Sequence, residues 1–302
     1  MTIPSTPQIA PAQEPDENTC PAASLKDPQA ATWFWGRSDR GLVRGNNEDR
    51  FWLDGERHLF IVADGMGGHA AGEEASRIAI EALNQFFAAD AIEAARSGGH
   101  FPELLRAALG HANDAVLQTS QTRSEWSGMG STAVVALLQD GHLHLANAGD
   151  SRAYLLRGDK IHLLSRDHSV AAALAEQNHI AREEVRTHPL RNRLTVCLGI
   201  EVNIEPHLSR IALQPEDRLL LCSDGLWDML SDEEIARLWR QYPDAKVAVD
   251  ALIAAANAAG GKDNITVVAL NIGDHDGFST LTNRTFGCPV SASLDDTVVV
   301  AC

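Results

Sequence analysis

The chain has 302 residues, of which 44% are hydrophobic and 22% are charged, a composition that is typical of a globular protein and excludes a wholly disordered chain. Its 41 acidic side chains outnumber the 25 basic ones, and the resulting net charge of −16 argues against nucleic acid or anionic lipid as a partner. The excess also raises the question whether some of the carboxylates are gathered into a cation site.

The N-terminal segment and the cysteines bear on the compartment of the protein. Residues 1–31, rich in Pro, Gln, Ala and Thr, lack a hydrophobic period and predict a flexible N-terminal tail. Residues 1–20 do not resemble a secretory signal, and no segment approaches the roughly 20 apolar residues of a membrane-spanning helix. Among five scattered cysteines, Cys197 and Cys222 lie in apolar runs and are predicted to be buried thiols. We therefore expect a cytoplasmic protein without a membrane anchor.

Between residues 33 and 272 the apolar pattern alternates between strands and helices. Strands are predicted at 51–53, 59–63, 132–138, 142–148, 152–157, 161–164, 208–213, 218–222 and 265–272. Helices are predicted from residue 70, from Pro102, from the capping box that starts at Ser231, and over 245–258. Because the strands cluster in hairpins, the pattern predicts antiparallel sheets with helices packed outside, an α+β layered domain. Residues 273–302 follow as a C-terminal tail whose order the sequence does not decide.

Carboxylates recur at the ends of the predicted strands. Six of them lie directly before or after a strand: Glu48, Asp49, Asp64, Asp150, Asp224 and Asp263. A single Asp beside Gly is usually a turn residue, as we expect for Asp54 and Asp140. Several strand-end carboxylates form a hard-cation site if the ends converge, and oxygen ligands favour Mg²⁺ or Mn²⁺ over Zn²⁺. Spacing alone does not decide whether they converge.

A series of short motifs covers most of the periodic sequence. They are RGNNED (44–49), ADGMGGH (63–69), GSTA (130–133), AGDSRAY (148–154), DHS (167–169), HP (188–189) followed by LG (198–199), SDGLWD (223–228) and KDNIT (262–266). In composition and order they resemble the PPM family, the metal-dependent Ser/Thr protein phosphatases of type 2C. One such motif is a weak signal, but the ordered series, over about residues 36–271, is a specific one.

The resemblance implies a fold and a domain organisation. The family fold is an α-β-β-α sandwich, in which two central antiparallel sheets are flanked by pairs of helices. We expect this phosphatase domain over residues 32–272, between the two tails. A flap that controls access to the site is expected near residues 171–198.

The resemblance also implies a metal site. Asp64 would bridge two ions of Mn²⁺ or Mg²⁺, and the Gly65 carbonyl would be a further ligand. Asp224 and Asp263 would complete the shell of the first ion.

Four further carboxylates have implied roles around this pair of ions. Glu48 and Asp49 would act through metal-bound waters. Bacterial relatives hold a third ion near Asp150, shared with Asp224, and Asp228 would support the set from outside.

The implied reaction is the hydrolysis of phosphoserine and phosphothreonine by direct attack of a hydroxide that bridges the two ions, with Asp49 and Asp64 as catalytic residues. Arg44 is the expected phosphate clamp, because a guanidinium matches phosphate oxygens bidentately. The expected substrates are phosphorylated proteins, and the expected partner is a bacterial Ser/Thr kinase whose action the enzyme reverses. A monomer is expected, as is common in the family.

Several histidines need separate interpretation. Met66 stands where eukaryotic members carry the histidine proposed as leaving-group acid, so His69 and a metal-bound water remain as candidates for that acid. His142 and His144 lie on one face of a predicted strand and are expected to face solvent. His188 is a candidate for the substrate entrance, within the expected flap.

Other functions stay open at the level of sequence. A catalytically inactive binding module of the same fold is disfavoured because Asp64, Asp224 and Asp263 are all present. A phosphatase of sigma-factor regulation is disfavoured because the 44–49 and 149–152 motifs are intact. A metal-dependent nuclease is disfavoured by the net charge.

Overall fold

Two antiparallel sheets form the centre of the protein, in a computed structural model that describes residues 32–68 and 70–273. The first sheet contains, in spatial order, β1 (Thr32–Asp39), β11 (Ile265–Ile272), β10 (Arg218–Cys222), β7 (Arg152–Arg157) and β8 (Lys160–Leu163). The second contains, in spatial order, β2 (Asp49–Asp54), β3 (Leu59–Met66), β5 (Ala133–Gln139), β6 (His142–Ala148) and β9 (His207–Ala212), with the short β4 (Gly130–Ser131) paired to the end of β3.

The strand β3 illustrates how each sheet is buried on both faces. Phe60 and Val62 pack into the core between the two sheets. Leu59, Ile61 and Ala63 point to the other face and pack into the core beneath the helices. Because successive side chains alternate between faces, a strand covered on both sides reads as a continuous apolar run.

Helices cover the outer face of each sheet. On the second sheet lie α1 (Ala70–Phe86), α2 (Ala89–Gly98) and α3 (Phe101–Ser120), followed by the 3₁₀ helix η1 (Ser124–Trp126). The short α4 (Val170–Glu176) and the 3₁₀ helix η2 (Arg182–Thr187) lie between β8 and β9 in the chain. On the first sheet lie α5 (Asp224–Trp227), α6 (Asp232–Gln241) and α7 (Ala245–Ala258). None of the described helices is both long and apolar enough to cross a membrane.

The predicted α-β-β-α sandwich is confirmed, and β1, α2 and α4 are among the elements that were not predicted from the sequence. The strand β1 pairs only with β11, near the other end of the described chain, and α2 has a weak apolar stripe of Ile92 and Ala95. The third element, α4, lies with η2 in the segment expected to be a flap. Residues 1–31 and 274–302 lie outside the described residues, so the two tails and the limits of the domain stay predictions.

Two local predictions from the sequence are confirmed. Asp140 and Gly141 form the turn between β5 and β6, with φ of 52° and 72° in the left-handed region. Cys197 and Cys222 are free and buried.

The expectation that both histidines of β6 face solvent is wrong for His144. The helix α3 lies over this strand, and the ring centroid of His144 is 4.1 Å from that of Phe101 at the start of α3. As a result 4% of His144 is exposed, and burial lowers its pKa to about 4, helped by the positive charge of Arg210. His142 remains partly exposed, and its Nε2 lies 3.2 Å from Arg210 Nη2.

Candidate metal centre

The strand ends that carry the predicted carboxylates converge. Asp49 at the start of β2 is the register partner of Asp64 near the end of β3. In the other sheet Cys222, at the end of β10, pairs with Arg152 at the start of β7 and with Val267 near the start of β11. The segments that precede and follow these strands therefore meet at one edge of the sandwich.

A cavity of about 420 Å³ opens at this edge. Five of the six predicted carboxylates line it: Glu48, Asp64, Asp150, Asp224 and Asp263. The expected phosphate clamp Arg44 and the expected carbonyl ligand Gly65 line it as well. The remaining lining residues are Val43, Gly45, Asn46, Met66, Gly67, Gly68, Thr132, Asn192 and Leu194. The convergence that spacing could not decide is thus present.

The backbone N–H and carbonyl of Asp64 are both hydrogen-bonded by the neighbouring residues Ser131 and Thr132. Its N–H donates to Thr132 Oγ1 at 3.0 Å, and its carbonyl accepts from Thr132 N–H at 2.8 Å and from Ser131 Oγ at 3.1 Å. A Cβ at Gly65 would lie 1.9 Å from the Gly72 carbonyl oxygen in α1, so only glycine allows this close approach of strand and helix. These contacts fix the peptide that would present a carboxylate and a carbonyl to metal ions.

Glu48 enters the cavity from the segment before β2. It is 6% exposed, its N–H donates to Asn264 Oδ1 at 2.8 Å, and its Oε1 accepts from Asn46 Nδ2 at 3.2 Å. A Cβ at Gly72 would lie 2.2 Å from Glu48 Oε2, so the carboxylate packs directly against the first turn of α1. The side chain is therefore positioned by a loop, a strand end and a helix at once.

Asp49 is 1% exposed and is held by a chain of hydroxyls. Its Oδ2 accepts from Ser223 Oγ and from Thr266 Oγ1, each at 2.7 Å. Thr266 Oγ1 is also 2.7 Å from Ser38 Oγ, and because its single proton goes to Asp49, the Ser38 hydroxyl donates to Thr266. Asp49 Oδ1 has no hydrogen-bond partner among the described residues.

The raised pKa values of Asp49, Asp64, Asp150 and Asp224 reflect burial without enough positive charge. Burial raises the pKa of Asp49 to about 6, against the hydrogen bonds from Ser223 and Thr266. Burial, reinforced by the charge of Asp167, raises the pKa of Asp150 to about 7. The pKa values of Asp64 and Asp224 lie well above the ordinary value, because burial is added to the charges of neighbouring carboxylates.

Arg44 and Asp263 form an ion pair at the side of the cavity. Arg44 Nη2 lies 2.6 Å from Asp263 Oδ2, and Asp263 Oδ1 accepts from Asn264 N–H at 2.8 Å. The side chain of Arg44 is 47% exposed, which leaves the guanidinium accessible from solvent. The predicted phosphate clamp thus lies at the cavity, with a predicted metal ligand as its partner.

The donor set fits hard divalent cations in chemistry. It is made of carboxylates and a peptide, and buried oxygens such as Asp49 Oδ1 and Asp224 Oδ1 have no partner within residues 32–68 and 70–273. In the same ranges, no group of three or more His, Cys, Asp or Glu side chains is arranged to hold an ion, and Asp263 is engaged by Arg44. Water would therefore have to complete the coordination, as Mg²⁺ commonly retains several waters in proteins.

Comparison with known proteins decides the family. The model of the family described as Protein phosphatase 2C matches residues 24–195 and 199–265. The chain belongs to the protein phosphatase 2C family. It is 35% identical over 235 residues to the Serine/threonine phosphatase stp of Listeria innocua, a match that covers 77% of this chain and 92% of that protein.

Two further comparisons involve PstP phosphatases. The chain is 40% identical over 244 residues to Serine/threonine protein phosphatase PstP of Mycobacterium tuberculosis, which covers 80% of this chain and 45% of PstP. A crystal structure of a PstP catalytic domain in complex with two manganese ions superposes with a TM-score of 0.70 at 36% identity, covering 80% of this chain and 99% of that one. A protein phosphatase 2C relative with the same fold therefore binds two manganese ions.

The phosphatase 2C motif at 148–154 also builds a buried ion pair behind the cavity. Arg152 donates to both oxygens of Asp167 at 2.6 to 3.1 Å, and the two side chains are each 7% exposed. The guanidinium stacks on Trp227 at 3.8 Å and donates to Tyr154 Oη at 2.9 Å. Because Trp227 Nε1 in turn donates to the Asp150 carbonyl at 3.0 Å, this cluster supports the backbone of a cavity carboxylate.

Asp228, expected to support the metal site, contacts the 171–198 segment. Its two carboxylate oxygens accept from Arg191 Nε and Nη2 at 3.1 Å each, and its carbonyl accepts from Arg186 Nη2 at 3.3 Å. It does not line the cavity. The side chain therefore links the 171–198 segment to the end of α5.

Neither His188 nor His69 is shown at the cavity, for different reasons. His188 does not line the cavity, and its Nδ1 accepts from the N–H of Leu190 at 3.2 Å. The 171–198 segment instead contributes Asn192 and Leu194 to the lining. His69 lies outside the described residues.

The anchors of the carboxylates were missed in the sequence. Ser131 and Thr132 hold Asp64, and Ser223 and Thr266 hold Asp49. Their position in the sequence could have indicated this role, because each of these four residues lies inside one of the family motifs.

Proposed function

We propose that the protein is a metal-dependent Ser/Thr protein phosphatase that hydrolyses phosphoserine and phosphothreonine on proteins. One observation carries the proposal: five carboxylates from separate segments and the guanidinium of Arg44 line a single cavity. Membership of the protein phosphatase 2C family and relatives named serine/threonine phosphatases support it.

In this proposal Asp64, the Gly65 carbonyl, Asp224 and Asp263 hold two ions of Mn²⁺ or Mg²⁺, with Glu48 acting through waters. Asp150, together with Asp224, would hold a third ion. When bound, a pair of divalent cations neutralises the charge of the phosphate and lowers the pKa of water, so that a nucleophile exists near neutral pH.

Binding of the phosphate and orientation of the attacking water depend on side chains of the protein. Arg44 is the group that would bind the phosphate oxygens, since its planar guanidinium can donate two parallel hydrogen bonds to them. It must first exchange its present partner, Asp263. Asp49, whose Oδ2 is fixed by two hydroxyls, would use its unpartnered Oδ1 to orient the attacking water.

No histidine of the described residues lines the cavity, and Met66 is the side chain that follows the Asp64-Gly65 pair. In this proposal water protonates the leaving serine or threonine oxygen, and His69, which lies outside the described residues, stays the alternative acid. The substrates would be phosphorylated proteins, and a Ser/Thr kinase would be the opposing enzyme. We propose that the enzyme acts as a monomer.

The test is phosphate release from para-nitrophenyl phosphate and from a phosphothreonine peptide, with Mn²⁺, Mg²⁺ or EDTA. We expect turnover of both substrates with Mn²⁺ and none with EDTA. The matched variants are Asp64→Asn and Asp114→Asn, since Asp114 is exposed on α3, away from the cavity. Absence of metal-dependent release from both substrates, or equal activity of the two variants, would contradict the proposal.

A further inference from the structure

Val43, the residue before the expected phosphate clamp, lines the cavity and is, with the preceding residue Leu42, among the most exposed large apolar residues of the described chain. Leu42 is 69% exposed and Val43 is 68% exposed, and Val43 lines the cavity beside Arg44. We call Leu42 and Val43 the apolar lip. Single exposed apolar side chains are common on proteins, but an adjacent pair at the opening of a site is placed to contact a ligand.

The backbone that carries the apolar lip is fixed. Leu42 N–H donates to the Gly261 carbonyl at 2.8 Å. On either side of the lip, the carbonyls of Arg40 and Asn46 accept from the same amide, Asn264 Nδ2, at 2.9 and 2.8 Å. A contact surface held in this way loses little conformational freedom when it binds a ligand.

The chemistry of the cavity changes from its interior to its mouth. Glu48 and Asp150 in the interior are 6% and 5% exposed and present polar carboxyl groups. Val43 is exposed and apolar, and the half-buried Leu194 adds a second apolar side chain to the lining from the 171–198 segment. A ligand that places its phosphate in the interior therefore meets apolar surface where the rest of its chain emerges.

We propose that the apolar lip contacts the residue next to the phosphorylated Ser or Thr of a protein substrate and selects an apolar side chain there. This inference rests on the proposed phosphatase activity. With the phosphate inside the cavity, the neighbouring residues of the peptide, about 3.5 Å away per residue along an extended chain, lie at the mouth. An acidic neighbour is disfavoured by the apolar surface and by the net charge of −16.

The test compares phosphothreonine peptides that differ in one residue directly before or directly after the phosphothreonine: Leu, Ser or Glu. For the wild-type protein with Mn²⁺ we expect kcat/KM to be about tenfold higher with Leu than with Ser at one of the two positions, and lowest with Glu. The double variant Leu42→Ser/Val43→Thr should bring the Leu-to-Ser ratio close to one. Because the ratio is taken within each variant, a general loss of activity does not affect it.

The matched control is Val202→Thr, since Val202 is 72% exposed and does not line the cavity. It should keep the wild-type ratio. A wild-type ratio near one at both positions, or an unchanged ratio in the double variant, would overturn the proposal. So would a dimer, measured by light scattering, that dissociates in the double variant while the ratio is retained. Failure of wild-type protein to hydrolyse para-nitrophenyl phosphate would instead count against the proposed function.

Discussion

Two clusters of buried charge lie side by side in this protein and differ in how they are balanced. Behind the cavity, Arg152 and Asp167 neutralise one another, and every guanidinium contact is to a carboxylate, a phenol or an aromatic ring. At the cavity, carboxylates lie beside one another, the pKa values of Asp49, Asp64, Asp150 and Asp224 are raised, and Asp49 Oδ1 and Asp224 Oδ1 have no partner within the described chain. The first cluster is complete as a structure, whereas the second becomes balanced only when cations bind.

The largest expected effect is that of a substitution among the cavity carboxylates, whose charge is balanced only when cations bind. Asp64→Asn should lower kcat/KM by at least about 10³-fold, because it removes a charge that metal ions and the transition state both require. In EDTA the same variant should be more stable than the wild type, because burial and the neighbouring carboxylates penalise ionisation of Asp64, whereas an amide carries no such cost. Thermal unfolding with EDTA measures this second effect, and a lower midpoint than the wild type would contradict the account of the cavity.

Substitution in the balanced cluster should act on folding. Arg152→Met should lower the free energy of unfolding by about 3–5 kcal/mol, because it leaves the Asp167 carboxylate buried without its partner. The matched control is Arg166→Met, which breaks the exposed Arg166–Glu176 pair and should cost less than about 1 kcal/mol. Denaturant unfolding measures both variants, and equal losses would mean that burial does not distinguish the two pairs.

The raised pKa values of Asp49 and Asp150 should lower the stability of the metal-free protein as pH rises, whereas buried histidines such as His144, whose pKa is lowered to about 4, contribute in the opposite direction. The pKa values of Asp49, about 6, and Asp150, about 7, lie above the ordinary value of 3.8, so the folded state binds more protons than the unfolded state between these limits. Stability is then lost as pH rises from about 4 to about 7, at about 1.4 kcal/mol per unit of pKa difference for one carboxyl.

The measurement is the unfolding midpoint in EDTA at pH 5 and at pH 7.5. Saturating Mn²⁺ should raise the midpoint more at pH 7.5 than at pH 5, because the ligands are then ionised. The variant Asp150→Asn isolates one carboxylate, and its metal-free midpoint should fall less, or rise more, from pH 5 to pH 7.5 than that of the wild type. An equal change in the two proteins would contradict the prediction.

The smallest effect concerns the hydroxyls that hold Asp49. Thr266→Val removes one hydrogen bond to Oδ2 with little change of shape and should weaken Mn²⁺ binding about tenfold, the lower end of the range for residues that orient metal ligands. Thr266→Ser keeps the hydroxyl and should restore most of the affinity. Calorimetric titration compares the three proteins, and equal affinities would remove Thr266 from the set of positioning residues.

Most of the strands, four of the helices and the carboxylates could be predicted from the sequence, because periodicity and motifs are local signals. Their convergence could not be predicted from spacing, since it depends on contacts such as that between Asp49 and Ser223, 174 residues apart. The wrong prediction for His144 has the same origin. The alternation of residues within its strand carries no information about α3, the helix that covers the side chain. The pairing of Arg44 with Asp263 was likewise not anticipated, and the metal-binding roles remain predictions.

The central claim is that the cavity carboxylates form a cation site, and calorimetric titration of Mn²⁺ into the metal-free protein at pH 6.5 tests it most directly. Titrations in two buffers of different ionisation enthalpy give the number of ions bound and of protons released. We expect at least two ions per chain, with release of protons from the carboxylates of raised pKa, and loss of this binding in Asp64→Asn. Absence of saturable binding, or unchanged binding in Asp64→Asn, would contradict the claim.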